Sequence, residues 1–210
     1  MKTLKLYIKE SLFDDEEDLI SKNPYRFHPK NKKELQMCIQ ELIDEQKDAK
    51  IIDLNSIDTS AITNMFRLFK DFKKYNFDLS KWDVSRVKCM NSIFAGCYNF
   101  NNDLSKWNVS KAEDMTSMFE GCYKFNSDLS KWDVSNVQYM INMFAGCSNF
   151  NSDLSKWDVS KVEDMNVMFE GCTKFNSDLS KWNVSKVKYM DNVFKNTPLE
   201  DKEELWPKFK

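Results

Sequence analysis

The stretch DLSKWDVSNVQYMINMFAGCSNFNS, residues 128–152, decides the fold, because it recurs along the chain in one frame. Trp82, Trp107, Trp132, Trp157 and Trp182 are each 25 residues apart, and Leu79, Leu104, Leu129, Leu154 and Leu179 keep the same spacing. So do Phe94, Phe119, Phe144, Phe169 and Phe194. A fixed period of this length marks a stacked array, in which each unit buries its apolar face against the next because it cannot do so alone. Upstream, Leu54, Ile57, Ser60, Ile62, Met65 and Phe69 fall on the positions of Leu79, Trp82, Ser85, Val87, Met90 and Phe94. This weaker copy replaces Trp with Ile, as end repeats often diverge.

Within a unit, Leu79-x-x-Trp82-x-Val84 reads as a short half-buried strand, like the LxxLxL of leucine-rich repeats. Val87, Met90, Ile93, Phe94 and Cys97 recur three and four apart, the spacing of a two-turn helix. The expected fold class is therefore α/β: a leucine-rich-repeat-like solenoid of about six 25-residue coils, each a short parallel strand plus a short helix, with helical N- and C-terminal caps. Asn31-x-x-Glu34 reads as a capping box opening a helix with Leu35, Cys38, Ile39, Leu42 and Ile43 on one face. Thr197-Pro198 reads as the start of another, with Trp206 placed to cover the last coil. The boundaries expected are an arm with an acidic run over 1–30, a capping helix over 31–50, the array over 51–197 and a second capping helix over 198–210.

The composition narrows the function classes. With 31 basic and 33 acidic side chains the formal net charge is −2, so no overall field draws the chain to nucleic acid. No stretch approaches the roughly 18 apolar residues of a membrane span. There are 16 Phe, 11 Met and 6 Trp against only 4 Gly and 4 Pro, a large-residue core with few of the glycines that tight hairpins require. Cys97, Cys122, Cys147 and Cys172 form one column, whose reading is a buried row of small apolar thiols, although stacked neighbours would also be close enough to pair.

The chain has one His, and it lacks a Gly-rich phosphate loop, GxSxG and HExxH. Repeated surface carboxylates rarely make the single asymmetric constellation that catalysis needs. The expectation is a protein that is not an enzyme and needs no cofactor or metal.

Candidate binding residues lie in the repeated surface columns. Lys81, Lys106, Lys131, Lys156 and Lys181 form one, and Asp78, Asp103, Asp128, Asp153 and Asp178 form another three residues away. They read either as mutually compensating ladders or as a charged recognition face. Coil 101–125 matches its neighbour 126–150 at 14 of 25 positions but matches 151–175 at 19 of 25, so the duplicated unit is two coils. The alternation places Tyr139 and Tyr189 beside Glu113, Asp114, Glu163 and Asp164, either as a stripe that pairs with a partner or as drift after duplication.

With Asp-Leu-Ser-Lys-Trp-Asp-Val-Ser at 128–135 and Met-Phe-Ala-Gly-Cys at 143–147, the unit closely resembles the BspA-like bacterial surface repeat, found in mycoplasma lipoproteins and in proteins of gut bacteria and their phages. The match covers roughly residues 31–198, and Asp53–Ser60 resembles the usual entry into such arrays. The resemblance implies a non-catalytic module for adhesion or protein binding, with a protein or glycan partner. Surface members carry a secretion or lipoprotein signal. Met1–Leu12 has neither, so the expected location is the cytoplasm of the producing cell or a virion. Met1–Ile8 with Glu10–Leu12 and the acidic run Asp14–Asp18 is similar to short leaders on Bacteroides phage proteins. That implies an alternative, a virion or other structural component docked through its N-terminal arm.

Overall fold

The computed structural model describes residues 23–208; the acidic run, the leader and most of the arm lie outside them. Helix α1 spans Lys32–Glu45. Its N-cap Asn31 accepts the Glu34 N–H at 3.1 Å, and the Glu34 carboxylate accepts the Lys30 N–H at 2.7 Å. This reciprocal arrangement satisfies donors that the helix start leaves open. One face of α1 buries Leu35, Cys38, Ile39, Leu42 and Ile43 in the same core as the coils that follow. Ahead of it, Arg26 forks onto Glu41 and Glu45 at 2.9 and 2.7 Å, and Phe27 bridges to Ile57.

Two short strands follow, β1 (Ile51–Asp53) and β2 (Asn76–Asp78), paired in parallel with Ile51 opposite Asn76. Beyond them the described chain carries turns and isolated parallel bridges, Asn64–Cys89, Cys89–Asp114, Asp114–Tyr139, Tyr139–Asp164 and Asp164–Tyr189. Each bridge joins residues 25 apart, so consecutive units lie side by side in register.

The segment 87–97, where apolar spacing predicts a helix, is built from turns instead. The Ile93 N–H donates to the Met90 carbonyl and the Cys97 N–H to the Phe94 carbonyl. Each turn has its third residue at positive φ, Ser92 at 56° and Gly96 at 73°, as a type II turn requires. Two successive i to i+3 turns return apolar side chains at the same three- and four-residue intervals as a helix does. Leu79–Val84 likewise forms a turn rather than a strand, and β2 lies just ahead of it. Where a capping helix is predicted over 198–210, the described residues hold a single 3-10 turn, Glu203–Leu205. Its Leu205 carbonyl accepts the Leu179 N–H at 2.9 Å, and Trp206 packs on Phe194 with ring centres 5.1 Å apart.

The constant residues build the stack. Phe94, Phe119, Phe144 and Phe169 form a buried column with ring centres 5.6–5.7 Å apart. Phe100, Phe125, Phe150 and Phe175 form a second column beside it. The indoles of Trp82, Trp132, Trp157 and Trp182 donate to the carbonyls of Leu54, Leu104, Leu129 and Leu154 in the preceding unit. Among the described residues the Trp107 indole N–H meets no acceptor, and in that unit Asn102 stands where later units have Ser127, Ser152 and Ser177. The four column cysteines are free. Each points its thiol at a phenylalanine carbonyl, Cys147 to Phe119 at 2.9 Å for example. Burial pushes the Cys97 and Cys172 thiols up to about 12, so they stay protonated and act as core groups.

The left-handed column at position 92 contains Arg67, Ser92, Ser117, Asn142, Val167 and Asn192, with φ of 53–61°. A β-branched residue in this region is strained, whereas Asn tolerates it. Val167→Asn is expected to stabilise the protein by about 1 kcal/mol, raising the melting temperature by roughly 2–4 °C. A thermal melt showing no rise would contradict the strain. The glycine column serves the same need for positive φ, and space is a constraint only at Gly96, where an added Cβ would come within 2.5 Å of Asp71 Oδ1. An added Cβ at Gly146 would meet the Gly121 Cα at 3.6 Å, an ordinary contact.

Candidate binding surface

Each unit opens with an Asx turn, in which an aspartate side chain accepts the N–H two residues on. Asp103 accepts from Ser105, Asp128 from Ser130, Asp153 from Ser155 and Asp178 from Ser180, at 2.9–3.0 Å. Hydrogen bonding from these serines holds the Asp103, Asp128 and Asp178 carboxyls below their usual range. The turn then projects the lysine that follows each serine into solvent.

Lys81, Lys106, Lys131, Lys156 and Lys181 are all exposed. Among the described residues their ammonium groups form no ion pair, and the lysines that do are Lys88, Lys188 and Lys195. The aspartate column is thus engaged by backbone N–H groups, and the lysines beside it attract its carboxylates without reaching ion-pair distance. Lys156 and Lys181 edge a groove of about 610 Å³, lined further by Asn151, Asp153, Asn176 and Ser177. Its wall is preorganised. Asn176 donates its N–H to the Asn151 side chain at 3.2 Å, while Ser177 Oγ accepts the Leu154 N–H and donates to Asp153. Two aspartates, Asp153 and Asp178, line it opposite the two lysines, so the groove is polar and of balanced charge.

Tyr139 and Tyr189 are 40% and 57% exposed and stand in the bridged column, not in this groove. Their neighbours explain part of the two-coil alternation. Lys88 pairs with Glu113 at 2.8 Å and Lys188 with Glu163 at 2.7 Å, each across a seam between units. The sequence reading missed a second aromatic feature. Tyr98 and Tyr123 stack in the open with centres 5.0 Å apart, and Lys73 lies 5.0 Å above Tyr98. Their 25-residue separation is visible, but Ser148 and Thr173 break that column in the next two units.

Among the described residues there is no group of three or more His, Cys, Asp or Glu side chains placed to hold a metal, and no helix is long and apolar enough to cross a membrane. The family model described as "Mycoplasma protein of unknown function, DUF285" matches residues 37–145 and 124–206. No curated protein matches the chain.

Proposed function

We propose, for a chain that belongs to the DUF285 family, a non-catalytic role as a protein-interaction or adhesion module of the BspA-like repeat type. In this reading the 25-residue units form a leucine-rich-repeat-like solenoid whose lysine column meets a protein or glycan carrying acidic groups. The observation that supports it is the row Lys81, Lys106, Lys131, Lys156 and Lys181, exposed and without ion pairs among the described residues. Like charges about 5 Å apart in a stack repel by roughly 1 kcal/mol in water. A partner that supplies carboxylates or sulfates at the same spacing relieves that repulsion.

Lys131→Glu combined with Lys156→Glu tests the reading. Both positions are exposed, so stability is expected to change by no more than about 0.5 kcal/mol each. Capture of a partner from lysate by immobilised protein is expected to fall roughly tenfold or more. Undiminished capture by the folded double variant would contradict the assignment.

A further inference from the structure

Along the stretch Met90–Gly96 and its counterparts the seam between units runs in one direction. Just ahead of that stretch a bond at each seam runs the other way, as from Glu113, Gln138, Glu163 and Lys188 to the unit before. In an ordinary parallel ladder, N–H and C=O groups alternate along each edge. Here Met90, Ser92, Phe94 and Gly96 all donate to the following unit, at the carbonyls of Asp114, Thr116, Met118 and Glu120. The pattern repeats at every seam. Met65 donates to Cys89, Met90 to Asp114, Met115 to Tyr139, Met140 to Asp164 and Met165 to Tyr189, all at 2.9–3.0 Å. These peptide groups are therefore joined head to tail along the stack, and their dipoles add as they do in a helix. The positive end lies on the last unit. There, among the described residues, the N–H groups of Met190, Asn192 and Phe194 meet no acceptor.

Three further observations say what fits this edge. The fourth donor, the Asn196 N–H, is closed by the Glu200 carboxylate at 2.9 Å, so the edge takes anionic oxygen. Met190 is 39% exposed, whereas its counterpart Met165 is fully buried, and a groove of about 340 Å³ opens between Met190, Phe194, Lys195 and Trp206. Lys188 occupies the position of Lys88, which pairs with Glu113 of the unit stacked above it, and Lys188 itself already holds Glu163 of the preceding unit at 2.7 Å. A second copy placed tail to tail by a twofold axis would set donors against donors, so that occupant does not fit.

We propose that the Met190–Phe194 edge is a docking site for an extended acidic polypeptide segment lying parallel to it. The segment would present three backbone carbonyls to the free N–H groups, a glutamate to an ammonium N–H of Lys188 that Glu163 does not use and an apolar side chain to Met190, a case of strand addition at an exposed edge. This stands apart from the lysine column and does not depend on it.

A peptide with the sequence of residues 111–121, KAEDMTSMFEG, is the probe, because that segment supplies the acceptors for Met90, Ser92, Phe94 and Gly96 inside the chain. Amide exchange of the whole protein is followed by NMR with and without it. At peptide concentrations ten times Kd, exchange at Met190, Asn192 and Phe194 is expected to slow about tenfold. Lys188→Glu is expected to weaken binding roughly fivefold, and a peptide with lysine in place of the Glu113-equivalent is expected to restore it. Three results would overturn the proposal: no slowing at about 1 mM peptide, protection already present without peptide, or the same slowing produced by inorganic phosphate alone.

Discussion

Phe144→Ala is expected to cost about 3–5 kcal/mol, the range for removing a fully buried phenylalanine ring. The ring is fully buried between Phe119 and Phe169, 5.7 and 5.6 Å away, and Phe150 stacks on it at 4.1 Å. Truncation therefore opens a void that borders three units at once. Each unit is held by its neighbours, so weakening two adjacent seams cannot be absorbed locally. Against a typical total of about 5–15 kcal/mol, the loss leaves the array marginal. The same change at Phe194 is expected to cost less, because that ring has Phe169 on one side and only the half-buried Trp206 on the other. Urea denaturation of both variants measures the difference. A loss at Phe144 below about 1 kcal/mol, or one equal to that at Phe194, would contradict the packing described.

The period, the core and the first cap could be read from residue identities because each constant residue has one task in the stack. Tryptophan reaches a leucine carbonyl, cysteine a phenylalanine carbonyl, and phenylalanine its own counterpart. Asn31 and Glu34 announced α1 because capping is a local event. The turns at 87–97 were not legible, since intervals of three and four residues fit a helix and a pair of i to i+3 turns equally well. Only Asn142 and Asn192 advertise the left-handed position; Ser92, Ser117 and Val167 do not.

The surface was read less well for a related reason. The aspartate column resembles a partner for the lysines when only charge is counted, yet one oxygen of each accepts a serine N–H and, among the described residues, no lysine of the column comes within ion-pair distance. The direction of the seam, and with it the donor edge at Met190, is a property of the backbone that side-chain patterning does not encode. The alternation of Glu113, Gln138, Glu163 and Lys188 was visible as a pattern, and the ion pairs Lys88–Glu113 and Lys188–Glu163 give it one physical use. Both pairs are exposed and contribute little to stability individually.

The largest effect is expected from changing the length of the array out of phase. Removing the two coils 126–175 joins Phe125 to Asn176, which occupies the same position as Asn126. Met115 then donates to the Tyr189 carbonyl in place of Tyr139, Phe119 stacks on Phe194, and Lys188 comes to lie over Glu113 as a lysine–glutamate pair of the kind already present. Every seam is of a type already present, so the protein should fold and be about 10 Å shorter along the stack. Removing 126–163 instead joins Phe125 to Asp164, which puts all later columns out of register and leaves the phenylalanine rows, indole acceptors and donor seam without partners.

Thermal unfolding of these two deletions, followed by circular dichroism, tests most directly whether the 25-residue coil is the unit of stability. One cooperative transition is expected for the protein lacking 126–175 and none for the protein lacking 126–163. Loss of cooperative unfolding in the in-phase deletion, or its survival in the out-of-phase one, would contradict this expectation.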